Sequence, residues 1–577
     1  TLTIIHKTCE LINNNTIDIN SISLNDTNTF DLLKKGNTIG CFQLESKGVR
    51  EYLKKLSPDR FEDIIAMISL YRPGPIEYIE NYIKRKHGTE DIIYLHPRLE
   101  PVLSETYGIT IYQEQVMKIA QILAGFSLSQ ADTLRWAIGK RKRNLMSSLK
   151  KDFIEGCIKN NVKEYQAESI FKQVETFAGY GFNKSHAAAY ALIAYQTAFL
   201  KANYPVEFMT ASINCELNNT DKINRYLDDS KCMNIKILKP NINYSNSLFT
   251  IELDNQNKKS IRYGLSALKN VGTSSTSKIV SERKKNGKYK NIDDFCNRLN
   301  DENINIRQLE FLIKSGSFDD LDKNRAKLFN NINKIVQVIR DNGKNIDQNR
   351  LFTDSLEVDN VINLNHSEKE WSKSDTLNFE YEALGFYLSQ HPLEDFNIFL
   401  KKNNFLTYEE IEKSIANVRN EEKKFFKIAS LPIGMKEKTS KKGNKYAYVQ
   451  FSDNTANFEA IIFADLLKKS IELIQNHELL LLTLEVIKKD NNINLRVQEI
   501  LTLRQFIKES NKKIKILTNE KINIAKLKNH LNKYKSNLGS EINLLVDINQ
   551  KLVNISIPGR YDYFNIINNK LVILIHR

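Results

Sequence analysis

The hydrophobic pattern changes period along this chain, and that change constrains the fold more than any single motif. Up to about residue 215 apolar side chains recur every three or four positions, as in Phe61, Ile64, Ile65 and Ile68, which places them on one helix face. From about 425 to 505 they alternate instead, in Lys445-Tyr-Ala-Tyr-Val-Gln-Phe451, Phe458-Glu-Ala-Ile-Ile-Phe463 and Asn494-Leu-Arg-Val-Gln498. Alternation is the period of a strand with one buried face. The 577 residues also exceed what one core can serve. The expectation is a multidomain, mainly α protein: a helical first part, then a small β-barrel, then a small α/β tail.

Turn residues mark the boundaries. Residues 1–215 form a helical domain. Ser57-Pro58-Asp59 reads as a helix start, Tyr71-Arg-Pro-Gly-Pro75 as a helix stop, Ser129 as a cap and Pro205 as a terminator. Residues 216–340 follow, with a strand at Ile235–Leu238 and short helices joined by glycine turns, from Leu265-Ser-Ala-Leu-Lys-Asn-Val-Gly272 to Gly316. Residues 341–424 read as a polar linker with connecting helices. The alternating segment 425–505 predicts a barrel. Residues 506–577 predict strands at Ile514–Leu517 and Ile542–Val546 around a helix near Ile524–Leu531.

Charge and cysteine usage narrow the function. Lys and Arg number 84 against 69 Asp and Glu, a net charge of +15 that suits a polyanionic partner, nucleic acid first. Abundant Ile, Asn and Lys weaken that inference, because AT-rich codons produce the same bias. The six cysteines include no Cys-x-x-Cys pair, which argues against zinc and a disulfide framework and for a reducing cytoplasm. No run approaches the roughly 18 apolar residues of a membrane helix. The sequence opens with Thr1, without signal-peptide features, inside what reads as a helix, so a fragment or processed chain is expected.

The densest chemistry lies in Phe177-Ala-Gly-Tyr-Gly-Phe-Asn-Lys-Ser-His-Ala-Ala-Ala-Tyr190. Gly179 and Gly181 allow close backbone approach to a ligand. A helix from about Ala187 to Asn203 presents its positive N-terminal end to phosphate, and Tyr180 and Phe182 offer faces for a base. The plainer alternative is a glycine-rich loop with Ser185 as helix N-cap and His186 at the first helical position.

Cys41-Phe-Gln-Leu-Glu-Ser46, Tyr71-Arg-Pro-Gly-Pro75, Arg85-Lys-His-Gly88, Tyr112-Gln-Glu-Gln-Val-Met117 and Gly139-Lys-Arg-Lys-Arg143 precede that loop in order. Together they resemble the fingers of the bacterial DNA polymerase III alpha subunit family. Leu265–Phe318 is similar to its helix-hairpin-helix region, and Ala383-Leu-Gly-Phe-Tyr-Leu-Ser-Gln-His-Pro-Leu393 to the segment before its OB-fold. Lys441-Lys-Gly-Asn-Lys445 is similar to the loop entering that barrel.

The resemblance implies a part of a DNA-directed DNA polymerase that extends a primer–template with dNTPs. It implies nucleotide binding by Arg72, Tyr180, Phe182, Asn183, Lys184, Ser185 and His186, with His186 excluding a 2′-hydroxyl. DNA contacts fall to Arg135, Lys140, Arg141, Lys142, Arg143, Lys269, Gly272, Lys441, Lys442 and Lys445. Gln348-Asn-Arg-Leu351-Phe352 has the pattern of a peptide that docks the sliding clamp (beta), and the tail lies where the family binds the clamp-loader tau subunit. The barrel's Tyr446, Tyr448 and Phe451 suit stacking on single-stranded template, although alternate aromatics also fill barrel cores.

The family's palm supplies carboxylates for Mg²⁺. The Asp-x-Asp of this chain, Asp320-Leu-Asp322, follows the hairpin segment and reads as a solvated turn. No catalytic residue or metal ligand is therefore assigned here, and Mg²⁺ belongs to the intact enzyme. The resemblance implies that the palm, thumb and PHP portions precede this chain. The rivals are the error-prone paralogue, the replicase type whose OB-fold precedes its core, and a non-catalytic module bridging DNA and the clamp.

Overall fold

The computed structural model describes residues 1–12, 17–139, 142–178, 181–254, 256–299, 304–348, 364, 369–415, 422–439, 443, 445–489, 492–509, 514–519, 531–532, 535–548 and 551–561. The chain divides into two compact units, one of residues 1–237 with 251–261 and one of residues 238–250 with 262–577. The helix Thr220–Cys232, beyond the boundary expected at 215, belongs to the first unit.

Two apolar clusters carry much of the first unit's core. One is built on the helix Phe61–Leu70, buried at Asp63–Met67, Ser69 and Leu70. Across it runs the helix Lys184–Asn203, which starts earlier than its alanine run suggested. Ala187, Ala191, Ala194 and Ala198 are fully buried on one stripe of that helix. Small side chains there let the backbones approach closely. Tyr195, on the same helix, donates from its hydroxyl to Ser23 O at 2.9 Å and accepts from Asp26 N at 2.9 Å. The second cluster joins the helices Gln113–Ala124, Leu128–Gly139, Arg143–Lys159 and Glu164–Ala178. There Gly156 lies so near the Ala124 carbonyl that a Cβ would stand 2.1 Å from its oxygen.

Two charged networks brace this unit. Lys201 is fully buried, and its Nζ donates to Asp229 Oδ2 at 2.6 Å and to the carbonyls of Asn37 and Ile39 at 2.8 Å each. Asp63, also fully buried, accepts from Arg60 Nε and from the Tyr82 hydroxyl, both at 3.2 Å, and pairs with Lys86.

Three helix boundaries differ from the sequence expectation. Ser57 closes the helix Lys47–Leu56 in the left-handed region (φ 47°), and the next helix is preceded by Arg60. Ser57-Pro58 thus ends one helix and does not start another, because Ser57 is left-handed and lacks the extended backbone of an N-cap. Ser127, not Ser129, caps the helix Leu128–Gly139: its hydroxyl accepts from Gln130 N while Gln130 Oε1 accepts from Ser127 N. Asn183, not Ser185, caps the helix Lys184–Asn203, accepting from His186 N at 2.8 Å.

In the second unit the helices Thr273–Asn286, Ile292–Arg298 and Ile306–Lys314 form the hairpin region. The helix Ile332–Gln348 continues well into the expected linker. Five strands then close a barrel: Lys423–Thr439, Lys445–Ser452, Asn457–Ile462, Leu480–Lys489 and Asn492–Thr502. They pair in the order first-second-third-fifth-fourth, the fourth returning to the first. The helix Ala464–Gln475 separates the third and fourth strands. The small barrel expected from the alternation is thus present, closed by five strands. Ala447, Val449 and Phe451 point into it and are fully buried. Phe451 is therefore core and cannot stack on a nucleic-acid base, as the alternation itself requires once Val449 is inside.

Beyond the barrel, the strand Ile514–Asn519 lies parallel to Lys535–Ile548, which pairs antiparallel with Lys551–Tyr561. Ile542, Leu544 and Val546 share an apolar cluster with Leu393, Phe396 and Leu503. Parallel pairing needs a crossover. The expected crossover helix near 524–531 falls almost wholly outside the described residues.

Candidate nucleotide- and DNA-binding site

The loop before the helix Lys184–Asn203 is pinned to a distant segment by two strand-like hydrogen bonds. Phe182 N donates to Ile111 O at 3.1 Å, and Gln113 N donates to Phe182 O at 3.0 Å. Gln113 Nε2 adds a bond to Gly181 O at 3.1 Å. These bonds fix the backbone of Phe182, whose ring lies between two partners. The Arg72 guanidinium sits 4.0 Å from the ring centre, and the His186 ring meets it edge-on at 5.4 Å. His186 also packs on Tyr190 at 4.3 Å, and Tyr190 on Phe42 at 5.4 Å.

Arg72 is directed by its turn. The helix Phe61–Leu70 stops just before Tyr71, and Gly74 takes φ 101°, a backbone that side-chain-bearing residues avoid. Arg72 Nε donates to Ser69 O at 2.9 Å. Burial pulls the guanidinium's pKa below its ordinary value, yet an arginine stays protonated at neutral pH. The sequence thus brings Arg72, Phe182 and His186 together, with Asn183 as the helix cap. Ser185 and His186 are exposed at the same helix start.

Lys184 is differently placed. Its backbone N–H donates to Glu114 Oε2 at 2.9 Å, and its Nζ donates to Glu105 Oε2 at 2.6 Å and lies 5.5 Å from the Tyr112 ring centre. Two of the donors that recommended this helix end for phosphate are thus engaged, Lys184 N by Glu114 and His186 N by Asn183. Neither Glu105 nor Glu114 was singled out from the sequence. The Tyr112-Gln-Glu-Gln motif contained Glu114, but only the fold shows what it accepts.

Of the remaining candidates, Arg135 pairs with Asp132 at 2.8 Å and reaches Gln113 Oε1 at 3.4 Å, which ties it to the same loop. Lys142 is exposed just before the helix Arg143–Lys159, which Arg143 opens. Lys269 is exposed, its N–H bonded to Ala383 O at 3.0 Å. Gly272 caps the helix Thr273–Asn286 with φ −79°, a conformation open to any residue, whereas Gly287 and Gly316 take positive φ. Lys445 is exposed, with Nζ 4.0 Å from Glu437. Tyr446 and Tyr448 are half-buried neighbours, ring centres 5.7 Å apart, with Lys438 Nζ 4.7 Å from Tyr448. Gln348 ends the helix Ile332–Gln348 and so is not in a loop. Lys140, Arg141, Tyr180, Leu351, Phe352, Lys441 and Lys442 lie outside the described residues.

Among the described residues, Asp320 and Asp322 do not form a two-magnesium site. Asp320 Oδ2 accepts from Asn241 Nδ2 at 2.8 Å, while Asp322 accepts from Asn324 N at 2.9 Å and pairs with Lys327 at 2.7 Å. Among the described residues no three His, Cys, Asp or Glu side chains converge as metal ligands. Nor is any described helix long and apolar enough to cross a membrane.

Comparison with known proteins agrees with these elements. Residues 1–161 match the bacterial DNA polymerase III alpha subunit finger domain, and residues 234–328 match a helix-hairpin-helix motif. The DNA polymerase III subunit alpha of Borreliella burgdorferi is 46% identical over 403 residues, covering 69% of this chain and 35% of that protein. That of Buchnera aphidicola subsp. Acyrthosiphon pisum is 38% identical over 560 residues, covering 92% of this chain and 46% of that protein. That of Aquifex aeolicus is 36% identical over 552 residues, covering 94% and 45%. The chain therefore corresponds to a part of the DNA polymerase III alpha subunit, and it spans less than half the length of these relatives.

Proposed function

We propose that this chain supplies the fingers, hairpin and barrel portion of a replicative DNA polymerase III alpha subunit, holding dNTP and primer–template during DNA synthesis in the cytoplasm. The supporting observation is the Phe182 assembly: one aromatic ring, fixed by backbone bonds to residues 111–113, carries a guanidinium on its face and an imidazole at its edge. A directed cation suits phosphate oxygens. The exposed His186 ring, held by Phe182 and Tyr190, suits a steric check on the sugar's 2′ position. Arg135, Lys142 and the exposed Lys269 and Lys445 contribute phosphate contacts along DNA. Tyr446 and Tyr448 offer the barrel's stacking faces. Gln348, Leu351 and Phe352 form the clamp-docking peptide, and the tail engages the clamp loader.

On this reading magnesium-dependent catalysis is left to carboxylates of the intact enzyme, since Asp320 is held by Asn241 and Asp322 by Asn324 and Lys327. Titration of the chain with dATP and with duplex DNA tests the reading. Both should bind, and log affinity for DNA should fall linearly with log salt. Primer extension by the chain with Mg²⁺ and four dNTPs should give no product. Failure to bind either ligand would overturn the proposal. Replacing Leu351 and Phe352 with Ala should abolish clamp binding in a pull-down. Reconstituted with a palm, His186→Ala should accept ribonucleotides while keeping its deoxynucleotide rate.

A further inference from the structure

Lys184 meets the carboxylates of Glu105 and Glu114 where a phosphate ligand would bring its own oxygens. The two carboxylates are not equivalent. Glu114 takes a backbone donor at the helix start, a contact that costs the site no mobile charge. Glu105 takes the ammonium itself. Its Oε2 is 2.6 Å from Lys184 Nζ, whereas its Oε1 is out of solvent and has no hydrogen-bond partner among the described residues. A buried carboxylate oxygen without a donor raises the energy of the state that contains it. The pair is also about one-third exposed on each side, 37% and 32%, and such pairs hold weakly. The Glu105 backbone is meanwhile firm. Its carbonyl accepts from Arg60 Nη2 at 2.8 Å, and Arg60 is anchored by the fully buried Asp63. The side chain can swing while its attachment stays in place.

The geometry points to Glu105 as an internal competitor for the phosphate site: it occupies Lys184 when no ligand is present and yields the ammonium to phosphate oxygens. This rests on the proposed dNTP reading of the loop and adds a residue to it. Displacing one carboxylate carries a fixed cost, while the gain at Lys184 and Arg72 rises with ligand charge. A triphosphate therefore clears the barrier more easily than orthophosphate.

Calorimetric titration of the full 577-residue chain with inorganic tripolyphosphate tests this. Glu105→Gln should bind about fivefold more tightly than the parent, the size of one partly exposed ion pair. Glu105→Asp, which keeps the charge but is one methylene too short to reach Lys184, should shift affinity in the same direction. In a Lys184→Met background the gain from Glu105→Gln should vanish. A general field effect would survive that substitution, so a persisting gain overturns the proposal. Unchanged or weaker binding by Glu105→Gln, with parent-like melting, overturns it too. If the parent binds and Lys184→Met weakens binding while Glu105→Gln does not strengthen it, the competitor role falls and the dNTP reading stands. If no variant binds tripolyphosphate, both fall.

Discussion

The Arg72 guanidinium lies face-on to Phe182, 4.0 Å from the ring centre, while its Nε bonds Ser69 O at 2.9 Å. The guanidinium makes both contacts at once through separate atoms of one rigid group, which lysine's single ammonium cannot do. Arg72→Lys should therefore behave as a loss variant. Its dATP affinity should fall about tenfold, near the value of a desolvated cation–π contact plus a hydrogen bond. Equilibrium titration of parent and variant checks this, and parent-like binding would show that the guanidinium over the ring is dispensable.

The buried Lys201–Asp229 pair makes a stability prediction. Removing one partner leaves the other charge in the interior, so Asp229→Asn or Lys201→Met should cost about 3–5 kcal/mol. Lys201→Met also strips the donor from the Asn37 and Ile39 carbonyls, so it should be the worse of the two. Urea unfolding followed by circular dichroism measures both.

Gly156 should tolerate no side chain. Its would-be Cβ stands 2.1 Å from the Ala124 carbonyl oxygen, and that oxygen is backbone on a neighbouring helix. Gly156→Ala must separate the helices Gln113–Ala124 and Arg143–Lys159, at a cost of about 1–3 kcal/mol. Ordinarily alanine would stabilise a helix interior relative to glycine, so the sign of the change in melting temperature decides between crowding and propensity.

Cysteine labelling should follow burial. Burial pushes the Cys41 thiol up to about 12 and the Cys157 thiol up to about 11, while Cys232 is exposed. At pH 8 the two buried thiols stay protonated as well as inaccessible, and only the thiolate is nucleophilic. Brief maleimide treatment read by mass spectrometry should modify Cys232 and spare Cys41 and Cys157 until the chain is unfolded. Early labelling of Cys41 would mean that the Lys201 region opens readily.

The parts of this structure legible in the sequence are those encoded over a few residues. The helical period placed Phe61–Leu70, and the alternation of Lys445–Phe451 placed a barrel strand. The glycine–proline turn at 73–75 predicted a directed Arg72, and it is directed. What escaped was decided by reach or by distant partners. Asn183 and Ser185 are both competent caps, and only the backbone path shows which oxygen reaches His186 N. Gln348 carried a loop-like context but lies at the end of a helix. Lys184 read as a free cation because Glu105 is 79 residues away and Glu114 is 70 away. No local pattern announces such a pair.

The bond between Asp26 N and the Tyr195 hydroxyl, spanning 169 residues, has a consequence during synthesis. Phe30, Leu33 and Ile64 share one core with Ala187, Ala191 and Tyr195. At about 5–20 residues per second, a ribosome needs on the order of ten seconds to deliver the second group after the first. For that interval the nascent chain carries an open apolar face with no native cover. This half of the core can close only after translation has passed the loop before Lys184, so the loop and the core that supports it are completed together.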